Sequence, residues 1–263
     1  MIQRSIDIGP FTIHFYGLII AIAIFSGWLL AKKRASAYKI PQTLFDDSIL
    51  LVPLILGIIG ARLYHVADYW HLYRQDLLSI LKISSGGLGI WGSLAGIFIG
   101  FWIVSKVKRI NLLSFLDLAS PSLILGQALG RIGNFINQEG FGPPTTAKWG
   151  VFISPENRPT EFINSTHFHP TFFYEATLDG LFFVILLYMS KRLKVRGQLF
   201  ASYLILYATG RFIAEFWRID TWTIGVIKVA HLLSVCTMII GITIFFLISK
   251  TKMNQVGSGL DTT

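Results

Sequence analysis

Seven apolar segments, each near the ~20 residues that a helix needs to cross ~30 Å of hydrocarbon, constrain this chain more than any other feature. They run roughly over 13–31, 47–66, 87–105, 115–134, 171–190, 199–217 and 227–249. A chain that is 53% hydrophobic and only 14% charged cannot satisfy so much backbone inside lipid except as helices or a closed barrel, and runs this long are helical. The expected fold is therefore an all-α integral membrane protein of seven transmembrane helices. The first run follows Arg4, Asp7 and Pro10 and lacks a small-residue cleavage site, so it reads as a retained span and not as a signal peptide.

The net charge of +9 raises the question of nucleic acid, and the placement of the charges answers it. Lys32, Lys33, Arg34 and Lys39 follow span one; Lys106, Lys108 and Arg109 follow span three; Lys191, Arg192, Lys194 and Arg196 follow span five; Lys250 and Lys252 follow span seven. These connections share one side of a seven-span chain, and excess Lys and Arg marks the cytoplasmic side. That predicts an outside N-terminus, a cytoplasmic C-terminus and no nucleic-acid partner. The lone cysteine, Cys236, permits no intrachain disulfide and reads as a buried, inert thiol.

Two outside connections differ from the short basic ones. Residues 67–86 mix Tyr69, Trp70 and Tyr73 with Leu77, Leu78 and Leu81, which suits a segment lying in the interface plane. Residues 138–170 carry Pro143, Pro144, Pro155, Pro159 and Pro170. They are expected to form an irregular outer cap with a short strand at "KWGVFI", and their length points to a functional lid or head. Residues 1–252 read as one seven-span domain and 253–263 as a disordered cytoplasmic tail. No internal repeat is evident.

Ionisable side chains inside lipid cost about 2.5–3.5 kcal/mol each on insertion scales and so mark function by default. Arg62 ends span two, Arg131 ends span four, Glu175 opens span five, and Arg211 and Glu215 lie four apart in span six, close enough to pair along one face. The remaining arginines predict a surplus of guanidinium near the outer leaflet, a setting for phosphate. In "GRIGNFINQEGFG", residues 130–142, Arg131 and Asn134 share a face if the helix continues, and Gly130 and Gly133 leave room beside it. Gly92, Gly96 and Gly100 read as a close helix contact. The literal G-x-G-x-x-G that contains Gly92 has no preceding strand, so it is not a dinucleotide fingerprint.

These blocks resemble the bacterial prolipoprotein diacylglyceryl transferase family. "GRIGNFINQEGFG" matches its signature G-R-x-G-N-F-x-N-x-E followed by Gly. "FYGLIIAIA", "GARLYHV", "HPTFFYE" and "GRFIAEFWR" follow the family order over nearly the whole chain. The resemblance implies a multi-pass inner-membrane enzyme, monomeric and without cofactor or metal, acting on phosphatidylglycerol and the lipobox segment of a preprolipoprotein among the membrane lipids. It would move the diacylglyceryl group to the lipobox cysteine, forming a thioether and releasing glycerol phosphate. Carried onto this sequence, Arg131, Arg211, Glu139 and Glu215 are the expected catalytic set. Arg131, Asn134, Asn137, Gly142 and Tyr16 would bind the lipid, and His65, Glu175, Tyr174 and Arg62 are candidate proton acceptors or supporting residues.

One departure stands out. Many members carry His-Gly-Gly in span three, where this chain has "IWGS", and Trp91 cannot accept a proton. Either His65, Glu139 or Glu175 takes that part, or the arginines lower the thiol's pKa enough that no dedicated base is needed. "VAHLLS" also departs from the family pattern, and His231 is given no role. A membrane transporter or channel for anions or lipids is the main rival reading, weakened by the absence of a repeat and of paired broken helices. An intramembrane aspartyl protease is disfavoured because Asp117 and Asp179 read as isolated and near span ends. Lys228 lies at the edge of span seven, too shallow for a retinal-type photoreceptor.

Overall fold

In the computed structural model, which describes residues 4–9, 11–82 and 86–257, seven helices are long and apolar enough to cross a membrane. They are Phe15–Tyr38, Ser48–Asp68, Ile90–Val107, Leu112–Asn137, Thr171–Arg192, Gln198–Trp217 and Val229–Thr251. The protein is an all-α integral membrane protein whose β-structure is confined to two-stranded pieces. It packs as two compact units, one of Lys32–Phe115 and one of Met1–Ala31 with Leu116–Thr263.

The smaller unit is built on α2 (Leu51–Asp68) and α4 (Ile90–Val107), with the short α3 (Trp70–Tyr73) between them. Glycine sets the approach of α2 and α4. A Cβ on Gly96 would lie 2.0 Å from the Leu56 carbonyl oxygen, one on Gly60 2.2 Å from that of Gly92, and one on Gly100 2.4 Å from Pro53 Cα. No larger residue fits without moving backbone, so the stripe is a helix contact, as its spacing predicts. At the far end of this unit Lys32 pairs with Asp46 at 2.5 Å and Lys108 pairs with Asp47. The hydrogen bond from Lys108, with a further one from the Ile49 N–H, holds the Asp47 carboxyl below its usual range. Past α3 a 3-10 turn, Leu77–Leu81, exposes Leu77, Leu78 and Leu81; residues 83–85 of the expected interfacial segment lie outside the described residues.

The larger unit opens on an antiparallel hairpin, β1 (Ser5–Ile8) with β2 (Phe11–His14), that runs into α1 (Phe15–Arg34). Its other helices are α5 (Leu112–Asn137), α6 (Thr171–Arg192), α7 (Gln198–Ala214) and α8 (Val229–Gly257). Ser122 Oγ on α5 donates to the Gly27 carbonyl on α1 at 2.8 Å. Asp117 on α5 caps α7, accepting from the N–H groups of Gly197 (2.6 Å) and Phe200 (2.8 Å) and satisfying donors that no helix can satisfy internally. The cap residues 138–170 fold on Phe141, Ile153 and Phe168, packed on Phe172 of α6. They carry β3 (Val151–Phe152), inside "KWGVFI", paired with β4 (His167–Phe168). A third hairpin, β5 (Thr223–Ile224) with β6 (Ile227–Lys228), leads into α8.

Some expectations shift. Helix α8 continues through 253–257 of the expected tail, and 258–263 lie outside the described residues. Cys236 is exposed on α8, among the exposed Leu232, Leu233, Val235 and Ile239. In a spanning helix an apolar face turned to lipid is as natural as one turned to a core, so hydrophobic context did not fix its burial. Asp117 and Asp179 are both buried and neither is isolated: Asp117 caps α7, and Asp179 stands in the charged cluster described next.

Candidate functional site

Helix α5 runs through the signature block, so Arg131, Asn134 and Asn137 fall on its last two turns. Arg131 Nη1 donates to Asn134 Oδ1 at 3.3 Å. Gln138, at φ 56°, takes the left-handed conformation that stops the helix; its side-chain oxygen accepts from Ser154 N (2.9 Å) and Asn157 Nδ2 (2.8 Å), tying the stop to the cap. The reversal folds Glu139 back on the helix end, where Oε1 accepts from Asn134 Nδ2 (3.1 Å) and Asn137 Nδ2 (3.3 Å). The two amides of the signature are thus held by one carboxylate, and Asn134 passes that hold on to Arg131. The clearance read from the glycines is present: the Tyr16 ring covers Gly133, where a Cβ would meet it at 2.8 Å, whereas beside Gly130 there is open space.

Glu175 on α6 joins this face to α7. It is 4% exposed. Its Oε2 pairs with Arg131 and, at 3.5 Å, with Arg211, and its Oε1 accepts from Arg218 Nη1 at 3.1 Å. Arg211 also pairs with Glu215, four residues on, at 2.6 Å, the contact their spacing predicts. Arg218 holds Asp220 at 2.9 Å. Burial works against the Arg218 cation, but Asp220 and then Glu175 outweigh it and raise its pKa. Lys228 Nζ donates to the carbonyls of Glu215 (2.7 Å) and Arg218 (2.9 Å), fixing the 3-10 turn that follows α7.

The expected surplus of guanidinium is not what the cluster contains. Arg131, Arg211, Arg218 and Lys228 stand with Glu139, Glu175, Glu215 and Asp220, because a charge in an apolar span is tolerable only when it is compensated, and Asp179 lies beside them outside these pairs. What is in surplus is donors. Arg131 and Arg211, whose side chains are 22% exposed, engage only part of their N–H groups among the described residues. Arg211 Nη1 is buried without a hydrogen bond. Both line a small cavity with Glu175, Leu178, Asp179, Tyr207 and Gly210. Partly engaged forks facing a cavity are suited to a phosphoryl oxygen.

The remaining expected residues go elsewhere. Gly142 is buried at a close approach, where a Cβ would lie 2.5 Å from the Trp217 carbonyl oxygen. The Tyr174 hydroxyl accepts from Trp149 Nε1 (3.0 Å) and meets His169 Nδ1 (3.1 Å). Arg62 and His65 belong to the smaller unit: His65 Nδ1 meets the Tyr73 hydroxyl at 3.1 Å, and Arg62 is bound up in backbone carbonyls. His231 is held between the Phe212 and Phe216 rings at 4.6 and 4.7 Å. Arg218 and Asp179 were not expected in the site, although the signal for both was present. Arg211, Glu215 and Arg218 follow i, i+4, i+7, and Glu175 and Asp179 follow i, i+4, each set marking one helical face.

Comparison with known proteins matches residues 3–247 to the family described as prolipoprotein diacylglyceryl transferase. Proteins named phosphatidylglycerol–prolipoprotein diacylglyceryl transferase are similar along most of their length. That of Thermosynechococcus vestitus is 38% identical over 240 residues, 90% of this chain and 89% of the relative. That of Bacillus cytotoxicus is 37% identical over 254 residues, 95% and 93% of the two chains, and that of Halalkalibacterium halodurans 35% identical over 250 residues, 94% and 86%. A match over this much of the chain places the protein: it belongs to the prolipoprotein diacylglyceryl transferase family.

Proposed function

We propose that this chain transfers the diacylglyceryl group of phosphatidylglycerol to the lipobox cysteine thiol of a preprolipoprotein in a bacterial plasma membrane, forming a thioether and releasing glycerol phosphate. The observation that carries the reading is the pair of partly engaged guanidiniums, Arg131 and Arg211, oriented by carboxylates around one cavity. Displacement of a phosphate from carbon requires the developing charge on the leaving oxygen to meet donors already in place, because their reorientation would otherwise add to the barrier.

Arg131 holds the lipid phosphate, and Asn134 and Asn137 orient the head group from the same helix end. Arg211 takes up charge on the leaving phosphate. Glu139 and Glu215 set the geometry of these donors, and Tyr16 walls the site over Gly133. Glu175, whose two oxygens serve three arginines, acts as their common anchor and not as a base. Gly142 seats the cap against the turn after α7. The nucleophile is the substrate's thiol. The N-terminus is outside, the C-terminus cytoplasmic, residues 67–82 lie at the interface, and the monomer is the working form.

The test is complementation in a cell depleted of its own enzyme, with a reporter prolipoprotein whose lipidation is followed by mobility and mass. Arg131→Ala and Arg211→Ala are each expected to lower lipidation by about a hundredfold or more, with the proteins still present in the membrane. Lipidation at the wild-type rate by either variant would remove that arginine from the mechanism. Lipid flux in proteoliposomes without transfer to a lipobox peptide would replace the transferase with a transporter.

A further inference from the structure

One acidic side chain of the cluster stands outside its ion pairs. Asp179 lies on α6 one helical turn beyond Glu175, is 6% exposed, and has no hydrogen bond or ion pair among the described residues. It lines the cavity that Arg131 and Arg211 also line. A buried carboxylate without partners adds nothing to stability, since its desolvation is not offset. Its presence therefore calls for a chemical reason.

The transfer supplies one, because a thiol must lose its proton before or as its sulfur attacks carbon. Among the groups lining the cavity, guanidinium has no acceptor, and the oxygens of Glu175 are engaged by arginines. The Tyr207 side chain offers a phenol oxygen and no carboxylate. Asp179 alone offers a carboxylate with both oxygens unengaged. The charged and titratable groups around it are Arg131 from α5, Glu175 from its own helix, and Tyr203, Tyr207 and Arg211 from α7.

We infer that Asp179 is the proton acceptor for the substrate thiol, an assignment that rests on the transferase reading above. The S–H bond breaks and its proton passes across the cavity to an Asp179 oxygen. The sulfur forms its bond to the glyceryl carbon that carries the phosphate ester, and the C–O bond breaks with its electron pair leaving on phosphate, held by Arg131 and Arg211. Asp179 then returns its proton to the departing phosphate or to water. Among the described residues Asp179 makes no ion pair with the arginines and so keeps its oxygens available to a proton, whereas those of Glu175 are engaged by three of them.

The experiment uses the full chain in phosphatidylglycerol-containing nanodiscs with a lipobox peptide, and follows thioether product by mass spectrometry from pH 6 to 9. Asp179→Asn is expected to lower kcat about a hundredfold at pH 7 and leave the melting temperature unchanged or higher. Its rate should climb about tenfold per pH unit toward the wild-type value near the thiol pKa of ~8.5. Asp179→Glu should keep the wild-type pH profile. A peptide with selenocysteine at the lipobox position, already ionised at neutral pH, should restore Asp179→Asn to within about tenfold of wild type. No loss in Asp179→Asn, a loss equal at every pH and with both nucleophiles, or an Asp179→Glu profile like that of Asp179→Asn overturns the assignment and leaves the transferase intact. A wild-type protein that makes no thioether overturns the transferase reading and the assignment with it.

Discussion

Arg62 and Arg131 look alike in the sequence, each an arginine at the end of an apolar run, and the two units of the molecule treat them in opposite ways. A guanidinium has five N–H donors. Those of Arg62 are all taken: Nε by the Ile80 carbonyl (2.8 Å), Nη1 by Gly86 (2.8 Å) and Gly87 (3.0 Å), Nη2 by Ser79 (2.7 Å) and Lys82 (3.3 Å). Its face covers the Tyr73 ring at 5.0 Å. Arg131 meets one carboxylate and one amide and turns what remains toward a cavity. A saturated arginine organises a loop, whereas an unsaturated one held in place by carboxylates is a binding group. Arg62 is also the more buried, 5% exposed against 22% for the Arg131 side chain, but the count of engaged donors is what assigns their roles.

The largest effect is expected on the unsaturated side. Glu175→Ala leaves Arg131, Arg211 and Arg218 facing one another without their shared carboxylate, and breaking such a buried pairing costs about 3–5 kcal/mol. Transfer should fall by about a hundredfold or more, because misplacing the forks by an ångström already costs that much. Thermal melting in detergent and the lipidation rate both report it. A Glu175→Ala protein that keeps its melting temperature and its rate would show that the arginines are positioned by something else.

Next in size is Arg62→Ala, which orphans five carbonyls between Ser79 and Gly87. Buried acceptors left unmade cost about 1–3 kcal/mol each, and since the freed loop can turn some of them to water, about 2–4 kcal/mol in all is expected. Proteolytic cleavage within 79–87 should become faster. Phosphatidylglycerol affinity, measured on the folded fraction, should change by less than about threefold, the size of a surface effect. A collapse of lipid affinity without loss of stability would mean that Arg62 faces substrate and would erase the contrast between the two arginines.

Why the sequence could not separate these arginines is a matter of distance along the chain. Period and length suffice for spans, so the seven helices and the glycine contact of α2 with α4 are legible, as is the Arg211–Glu215 pair within one helix. The meeting of Arg131, Glu175 and Arg211 takes three helices, and the enclosure of Arg62 takes a loop 17 to 25 residues away in sequence. Neither is a spacing. The hairpins β1–β2 and β5–β6 were missed because their strands of four and two residues carry too little alternation to register against neighbouring apolar spans. Asp179 reads as isolated in the sequence because, Glu175 apart, the charged groups around it lie on other helices.

Two glycines sharpen the comparison at smaller cost. Gly87 has φ 73°, and a Cβ there would lie 2.6 Å from Arg62 Nη1. Gly87→Ala therefore meets both a strained backbone and the enclosed guanidinium, and should cost about 1–3 kcal/mol with the same loop cleavage as Arg62→Ala. Combined with Arg62→Ala it should add less than its separate cost, since the closest clash is gone and the strain, with the 3.1 Å approaches to His65 Cε1 and the Tyr73 hydroxyl, remains. Full additivity in the double variant would put Gly87's effect elsewhere than on Arg62.

Gly130 is the counterpart one residue before Arg131, and the smallest change in stability is expected there. It is helical, and a Cβ would meet nothing within 4 Å. Ala is favoured over Gly in a helix interior by up to about 1 kcal/mol, so Gly130→Ala should leave the melting temperature level or slightly raised. If the open space beside Arg131 is where the lipid head group or glyceryl chain passes, the added methyl obstructs substrate without touching the fold. KM for phosphatidylglycerol should then rise about tenfold or more, as expected of the roughly 1–3 kcal/mol that one methylene commands in a shaped pocket, with kcat less affected. An unchanged KM would place the lipid on another face of α5, and Arg131 would then have to reach it past Asn134 and not over Gly130.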